Sequence, residues 1–235
     1  MKNLIIYIHG KGGSYKEAEH YKPLFKGCDV IGFDYHAKMP WEAKEELPRL
    51  YDKFSKGYDC VILIANSIGA FFAMHALCER KISLSLFVSP IVDMERLISD
   101  MMTIANVTEN ELESKKEIPT NFGETLSWGY FCYVRSHPIS WKVPTCILYG
   151  EMDNLTSRQT VEEFSSRIGA RLSVMPDGEH WFHTEKQMLF LDEWVRYSTH
   201  ELLSSDDDAD DETDETDEYD ETAQTVSSMT LTGIL

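Results

Sequence analysis

Short apolar runs alternate along the chain with longer helical segments. The apolar runs predict β-strands near residues 3–8, 28–33, 60–66, 84–89, 144–150 and 171–175. The segments between them predict helices near residues 15–26, 41–55, 68–80, 155–168 and 184–203. Strands separated by helices imply right-handed crossovers and a sheet covered on both faces. The pattern therefore predicts an α/β fold, a three-layer α/β/α sandwich around a mostly parallel six-stranded sheet.

One interval interrupts this alternation. Between Pro90 and Pro144 no clear strand is visible, and the segment holds a helix candidate over 94–105, a charged stretch over 109–117 and a cluster of aromatic residues. Insertions of this length in a compact domain are typical of lids over a functional site. We predict a small helical lid over about residues 91–143, set into a domain that covers residues 1–203.

Acidic residues are concentrated in the last part of the sequence. The net charge is -18 at pH 7, and residues 204–235 supply twelve of these charges, from eight Asp and four Glu without any Lys or Arg. Such a block repels itself and buries nothing, so we predict a disordered, solvated tail, with an interaction tail for a basic partner as the alternative. Nothing basic is clustered elsewhere, which argues against a nucleic-acid partner.

Other features bear on size and compartment. The chain of 235 residues is long enough for one sizeable α/β domain. Its five cysteines have no metal-binding spacing and are interpreted as reduced thiols. The apolar run over 4–8 is too short for a signal peptide, and no run approaches the ~18 apolar residues of a membrane span. We expect a cytoplasmic protein with a small-molecule partner and no membrane partner.

The predicted strand over 60–66 leads directly into a serine set between small residues. The segment Ala65-Asn66-Ser67-Ile68-Gly69 follows that strand, and a helical stretch comes next. This is the layout of a nucleophile elbow, usually Gly-x-Ser-x-Gly, whose sharp turn needs small flanking residues and exposes the hydroxyl at the top of the sheet. Ser67 is therefore the candidate nucleophile, and a helix N-cap is the alternative role.

Three other strands end in residues that suit the same chemistry. The first is followed by the glycine-rich segment 9–14, which suits an oxyanion hole and lacks the spacing of a phosphate-binding loop. Asp153 follows the strand near 144–150 and suits an acid that orients a histidine. His180 follows the last strand and suits a general base. The carboxyl ends of parallel strands share one edge of a sheet, so these groups should meet there.

In these motifs and in their order along the chain, the sequence resembles the α/β-hydrolase superfamily, of the compact bacterial serine esterase or serine-peptidase-like kind. The resemblance covers about residues 3–203. The sequence departs from the family pattern in having Ala65 in place of the first elbow glycine. It also begins directly at the strand that carries His9 and Gly10, without the family's leading antiparallel hairpin. The resemblance therefore implies a reduced fold with six parallel strands.

The resemblance also implies roles for individual residues. Ser67 would attack the substrate, His180 would take and return its proton, and Asp153 would orient the imidazole. The backbone N–H groups of Ile68, at the start of the helix, and of Lys11, carried over from the family, would form the oxyanion hole.

Alternatives remain for several of these positions. Asp153 could cap the next helix, and Asp93 is the rival acid. His180 could be an ordinary loop histidine, and it is spaced from His183 like a metal pair, but no third ligand is evident, so we expect no metal and no other cofactor. His9 is interpreted as a structural hydrogen-bonding residue at the end of its strand.

The predicted activity is that of a serine hydrolase that cleaves a small carboxylic ester through an acyl-enzyme. Trp128 and Phe131 of the inserted aromatic cluster, with Trp181 beside the candidate base, are the candidate pocket residues. A peptidase, thioesterase or acyltransferase would use the same three groups, and a non-catalytic member of the fold would act by binding. A dehalogenase or epoxide hydrolase would need Asp at position 67, so Ser67 argues against both.

Overall fold

A six-stranded parallel sheet forms the centre of the molecule. The computed structural model describes residues 2–203, and the predicted acidic tail lies outside the described residues. The strands are β1 (Asn3–Ile8), β2 (Asp29–Gly32), β3 (Cys60–Asn66), β4 (Leu84–Val88), β5 (Glu117–Pro119), β6 (Thr125–Ser127), β7 (Thr145–Gly150) and β8 (Arg171–Met175). The main sheet has the order β2-β1-β3-β4-β7-β8, and all its neighbouring strands are parallel. The predicted sheet is confirmed.

Helices cover both faces of this sheet. They are α1 (Ala18–Tyr21), α2 (Pro40–Phe54), α3 (Ile68–Ala76), α4 (Met94–Ala105), α5 (Glu109–Lys115), α6 (Trp128–Ser136), α7 (Arg158–Ile168) and α8 (Glu185–Leu203). Along β1, Leu4 and Ile6 pack in the core that includes α2, α3 and α7, whereas Ile5 and Tyr7 pack in the core of α1 and α8. Successive side chains of a strand point to opposite faces, and both faces here are buried, as expected for a parallel sheet. The predicted three layers are confirmed.

The first predicted helix is broken into short pieces. In place of one helix over 15–26, a 3₁₀ turn over Tyr15–Glu17 is followed by the single turn of α1 and a second 3₁₀ turn over Lys22–Leu24. Pro23 lies in the second turn, and its ring removes the N–H that a continuing helix would use. The segment therefore curves tightly between β1 and β2.

The inserted segment contains more regular structure than its pattern indicates. The helix predicted over 94–105 is present as α4, and the charged stretch forms α5. Unlike the prediction, the segment also holds two short strands, because β5 and β6 pair as an antiparallel hairpin. Its loop contains Gly123 with φ of 87°, a backbone conformation that glycine adopts without a steric penalty. Three-residue strands are too short to produce a clear alternation in sequence.

Two further observations concern the predicted compartment. Within residues 2–203, no helix combines the length and the apolar character needed to cross a membrane. All five cysteines are free thiols, and Cys60 and Cys146 are buried in the sheet.

Helix α3 carries a buried histidine that should make stability depend on pH. Burial lowers the pKa of His75 from 6.5 to about 4, and the nearby Lys44 and His137 act in the same direction. The imidazole therefore stays neutral in the folded protein between these values, whereas in the unfolded chain it binds a proton. The free energy of unfolding should fall as the pH drops through this range, by up to about 3 kcal/mol.

The measurement is urea unfolding at pH 7.0, 5.5 and 4.5 for the wild type and for His75→Gln. The variant cannot take up this proton, so its stability should decline less over the same range. Equal pH dependence in the two proteins would contradict the assignment, since the remaining titrating groups are common to both.

Candidate active site

The candidate residues converge where the strand order reverses. From β1 the chain crosses to β2 on one side of the sheet, and the later strands β3, β4, β7 and β8 continue on the other side. Ligand sites of open parallel sheets form outside the carboxyl ends of the strands at such a point. The loop after β1 and the elbow after β3 lie side by side here, since a Cβ placed on Gly10 would be 3.2 Å from the Cβ of Ser67.

Ser67 occupies a strained turn between β3 and α3. Its φ of 51° and ψ of -123° lie in a region that costs a non-glycine residue on the order of 1–3 kcal/mol. Backbone hydrogen bonds tie the turn to β4 and to the segment after it, from Ser67 N to Val88 O at 3.0 Å and from Ile91 N to Ser67 O at 3.2 Å. Ser67 makes no side-chain cap hydrogen bond to the helix. Its hydroxyl is thus directed away from the helix, as the elbow interpretation requires.

Gly69 lets this turn sit directly on the end of β1. A Cβ at this position would be 2.8 Å from Ile8 O and closer still to His9 O. Real Cβ atoms do not approach backbone oxygens so closely, so any side chain here would push α3 away from the sheet. The second small position of the elbow is therefore fixed by its contact with β1.

Ser67, His180 and Asp153 form a continuous chain of hydrogen bonds. The Nε2 atom of His180 lies 2.8 Å from Ser67 Oγ, and its Nδ1 lies 2.7 Å from Asp153 Oδ2. The Asp153 side chain is completely buried, and that of His180 is 15% exposed. A histidine held between a buried carboxylate and a serine hydroxyl can accept the hydroxyl proton and be stabilised in its charged form.

The two oxygens of Asp153 have different partners. While Oδ2 faces His180, Oδ1 accepts hydrogen bonds from Leu155 N at 2.8 Å and Thr156 N at 3.0 Å. Asp153 therefore faces His180 with one oxygen and holds its own loop with the other, and it does not cap the helix that follows. The helix that follows, α7, begins at Arg158, later than predicted, and Ser157 is its N-cap.

The rival acid has a different position. Asp93 caps α4, where its carboxylate accepts a hydrogen bond from Arg96 N at 2.9 Å. His180 is therefore hydrogen-bonded to Asp153, whereas Asp93 contacts the start of α4, and the catalytic role of Asp153 stays a prediction.

Backbone contacts hold the loop that carries Asp153 (the acid loop) against the loop that carries His180 (the histidine loop). A Cβ on Gly150 would be 2.5 Å from Gly178 O, so the two loops touch at a position where only glycine fits. Met152 N donates to Gly178 O at 2.7 Å, and Glu151 N donates to Met175 O at 3.0 Å. These contacts fix the distance between the Asp153 and His180 side chains.

The candidate oxyanion donors, Ile68 and Lys11, directly follow Ser67 and Gly10, the two residues at which the elbow and the turn after β1 approach each other. Ile68 is the first residue of α3, so its N–H has no acceptor within the helix. Lys11 lies in a turn closed by a hydrogen bond from Gly13 N to Gly10 O at 3.1 Å. Its side chain forms an ion pair with Glu124, in the loop of the β5–β6 hairpin. The inserted segment therefore reaches the turn that carries Lys11.

His9 and His183, the other histidines near the candidate site, make stacking and hydrogen-bond contacts with neighbouring residues. His9 stacks on Tyr35, with ring centroids 4.4 Å apart, and the Tyr35 hydroxyl donates to His9 O at 2.7 Å. His183 stacks on Trp181 and its Nδ1 lies 2.7 Å from Trp181 O. In the part of the chain that the structure describes, no cluster of three or more His, Cys, Asp or Glu side chains is arranged to hold a metal ion.

The three candidate pocket residues lie in different environments. Phe131 is completely buried in the core, with the Arg135 guanidinium 3.9 Å above its ring. Trp128 is half-buried beside Phe131, whereas Trp181 is 72% exposed next to His180. Their contact with a substrate stays a prediction.

Two cavities lie along α4 and α7, and only the first reaches a residue of the Ser67–His180–Asp153 chain. The first, of about 220 Å³, is lined by Asp153 and by residues of α4 and α7, and the second, of about 370 Å³, extends between α4, α6 and α7. Trp128, Phe131 and Trp181 line neither of them.

Sequence reasoning missed a group of polar residues beneath the elbow. Tyr7, in the apolar run of β1, contacts both Glu17 and Asn66 through its hydroxyl. The position of Asn66 beside Ser67 was a possible signal. Tyr7 gave none, because a tyrosine in a buried strand has the same pattern as a core residue.

Comparison with known proteins supports the fold. No family model and no curated protein matches the sequence. Among solved structures, Est1E from Butyrivibrio proteoclasticus is similar with a TM-score of 0.69 and 16% identity, over 86% of this chain and 89% of that one. A structure of Est1E with ferulic acid bound is similar with a TM-score of 0.67 and 17% identity, over 86% of this chain and 90% of that one. Mouse alpha/beta hydrolase domain-containing protein 10 is similar with a TM-score of 0.67 and 18% identity, over 85% of this chain and 90% of that one. The chain has the α/β-hydrolase fold.

The contact at Gly69 leads to a prediction about stability. Gly69→Ala should lower the free energy of unfolding by about 1–3 kcal/mol, because the added methyl group overlaps the carbonyl oxygens at the end of β1. Gly129→Ala in α6 is the matched control. A Cβ there would lie 3.8 Å from its nearest neighbour, Ser127 Oγ, and alanine favours a helix more than glycine does. Chemical denaturation measures both, and equal stability of the two variants would contradict the packing argument.

Proposed function

We propose that this protein is a serine hydrolase that cleaves small carboxylic esters through an acyl-enzyme. The observation that carries the proposal is the hydrogen-bonded chain from Ser67 through His180 to the buried Asp153, at the carboxyl edge of the sheet. A serine hydroxyl is a weak nucleophile unless an adjacent base removes its proton. The hydrogen bonds from Ser67 to His180 and from His180 to Asp153 support this activation.

The proposed reaction has two halves. In the first, Ser67 Oγ attacks the ester carbonyl while its proton passes to His180, and the protonated imidazole then gives that proton to the departing alcohol. In the second, His180 takes a proton from water, the resulting hydroxide equivalent attacks the acyl-enzyme, and the proton returns to Ser67 as the carboxylic acid leaves. Asp153 keeps the imidazole oriented and stabilises its positive charge. No step requires a metal or a cofactor.

The N–H groups of Ile68 and Lys11 would receive the negative charge that develops on the carbonyl oxygen. Loss of one such donor typically costs about 10²–10³ in turnover. An ester is favoured as the substrate because Est1E, of similar fold, has been solved with ferulic acid, a carboxylic acid, in place. The substrate we propose is a small molecule, and a cytoplasmic location remains part of the proposal.

The nucleophile can be tested with a fluorophosphonate probe and p-nitrophenyl esters of increasing acyl length. Ser67→Ala should abolish labelling and lower turnover by about 10⁴-fold or more, because no other hydroxyl contacts His180 within residues 2–203. The control is Ser99→Ala, on α4, whose hydroxyl donates to Glu95 O within the same helix. Labelling that persists in Ser67→Ala would refute the proposal, provided that both variants melt cooperatively.

The acid can be tested by a matched pair of substitutions. Asp153→Asn should lower kcat by about 10⁴-fold, because an amide favours the wrong tautomer of His180. Asp93→Asn keeps a side-chain oxygen for its helix cap and should leave kcat nearly unchanged. Steady-state kinetics on p-nitrophenyl acetate decides between them. The opposite result, with Asp93→Asn the damaging change, would assign the acid to Asp93.

A further inference from the structure

A buried polar chain runs beneath the nucleophile elbow. Tyr7 is 1% exposed in the core of β1, and its hydroxyl donates a hydrogen bond to a carboxylate oxygen of Glu17. The same hydroxyl accepts a hydrogen bond from Asn66 Nδ2 at 3.0 Å. Asn66 is the residue directly before Ser67. A buried phenol therefore connects the elbow to a carboxylate on a different segment of the chain.

The second oxygen of Glu17 holds the turn that carries Lys11. Glu17 Oε1 accepts a hydrogen bond from Ser14 N at 2.9 Å. It also packs against the backbone of Gly13, where a Cβ would be 2.8 Å from Oε1. One carboxylate thus contacts the glycine-rich turn on one side and, through Tyr7, the elbow on the other.

The direction of these hydrogen bonds is set by the carboxylate. An ionised carboxylate only accepts hydrogen bonds, so the Tyr7 hydroxyl must donate to Glu17 and can only accept from Asn66. Burial is the main cause that raises the pKa of Tyr7 well above its usual range, and the phenol keeps its proton. Asn66 must then turn its amide nitrogen towards Tyr7, and its Oδ1 points elsewhere.

The arrangement leaves one buried atom without a partner. Asn66 Oδ1 has no hydrogen-bond partner in the part of the chain that the structure describes. An unsatisfied buried oxygen is costly, and an apolar side chain at this position would avoid the cost. The polar chain is therefore better explained by what it positions than by stability alone.

We propose that Tyr7, Glu17 and Asn66 are positioning residues that fix the spacing between the Lys11 turn and the Ser67–Ile68 elbow. None of them touches the reacting atoms. The spacing they set is that between the two N–H groups of the proposed oxyanion hole, so they act on the transition state more than on substrate binding. This inference rests on the proposed function, since it assigns a role within the same site.

The test compares Tyr7→Phe with Tyr51→Phe. Tyr51, in the last turn of α2, is also buried, and its hydroxyl donates to Lys81 O. Lys81 precedes β4, so this contact lies at the edge of the sheet opposite the elbow. On p-nitrophenyl acetate, Tyr7→Phe should lower kcat by about 10- to 100-fold and change KM less than about twofold, a partial loss of oxyanion stabilisation. The rate of fluorophosphonate labelling should fall in parallel. Tyr51→Phe should lower the melting temperature without changing kcat.

A second variant keeps the test decisive if Tyr7→Phe does not fold. Glu17→Gln has the same shape, but an NH₂ group replaces one of the two oxygens that accept from Ser14 N and from the Tyr7 hydroxyl, so one of these two donors would face another donor. We expect kcat of Glu17→Gln to fall by about 10-fold. Where both single variants fold, the loss in the double variant Tyr7→Phe/Glu17→Gln should be smaller than the product of the single losses, because both act through one chain.

Two outcomes would overturn the inference. One is a kcat in Tyr7→Phe or Glu17→Gln equal to that of Tyr51→Phe, and the other is a raised KM at unchanged kcat. These results differ from failure of the proposed function, which would appear as activity and labelling that survive in Ser67→Ala. Activity that depends on Ser67 but is unaffected by Tyr7 and Glu17 would remove only the positioning role.

Discussion

The contact between Gly69 and the end of β1 is the constraint on which the candidate site depends. Because backbone oxygens of Ile8 and His9 occupy the space of a side chain at position 69, α3 can begin only if that position lacks one. This places the elbow directly beside the turn after β1. The strained backbone of Ser67 is then held by hydrogen bonds to the segment that follows β4 and to β4 itself. The packing that Gly69 allows thus offsets the backbone strain at Ser67.

Asp153 shows how hydrogen bonds within a loop can orient a side chain of the candidate site. A carboxylate with no other partner could rotate and present either oxygen to a histidine. Here two backbone N–H groups occupy Oδ1, so Oδ2 is left with a single direction, towards His180. The contact of Gly150 with the histidine loop sets the distance between the two side chains. The Asp153 side chain is therefore held in place by its own loop. The same backbone hydrogen bonds also satisfy its fully buried carboxylate.

The sequence predicts those features that depend on local pattern. The six strands are short apolar runs, and Ser67, Asp153 and His180 each follow one, so their convergence at one sheet edge comes from parallel topology alone. Features that depend on distant contacts are not predictable in this way. Tyr7 has the pattern of a core residue, and its role emerges only when β3 brings Asn66 to it. Likewise, the aromatic cluster of the insertion gave no means of separating buried Phe131 from half-buried Trp128.

The turn that carries Lys11 is held from two sides with unequal strength. On the outside, the Lys11 side chain pairs with Glu124 of the insertion, but both groups are well exposed, and such pairs contribute only about 0–1 kcal/mol and weaken with salt. On the inside, Glu17 binds Ser14 N and is itself fixed by the buried Tyr7. If the hairpin moved away from the site, the backbone of the turn would keep its inner contacts. Under the proposed function, an insertion that opened for a substrate would leave the N–H of Lys11 in place, so access and transition-state stabilisation would depend on different bonds.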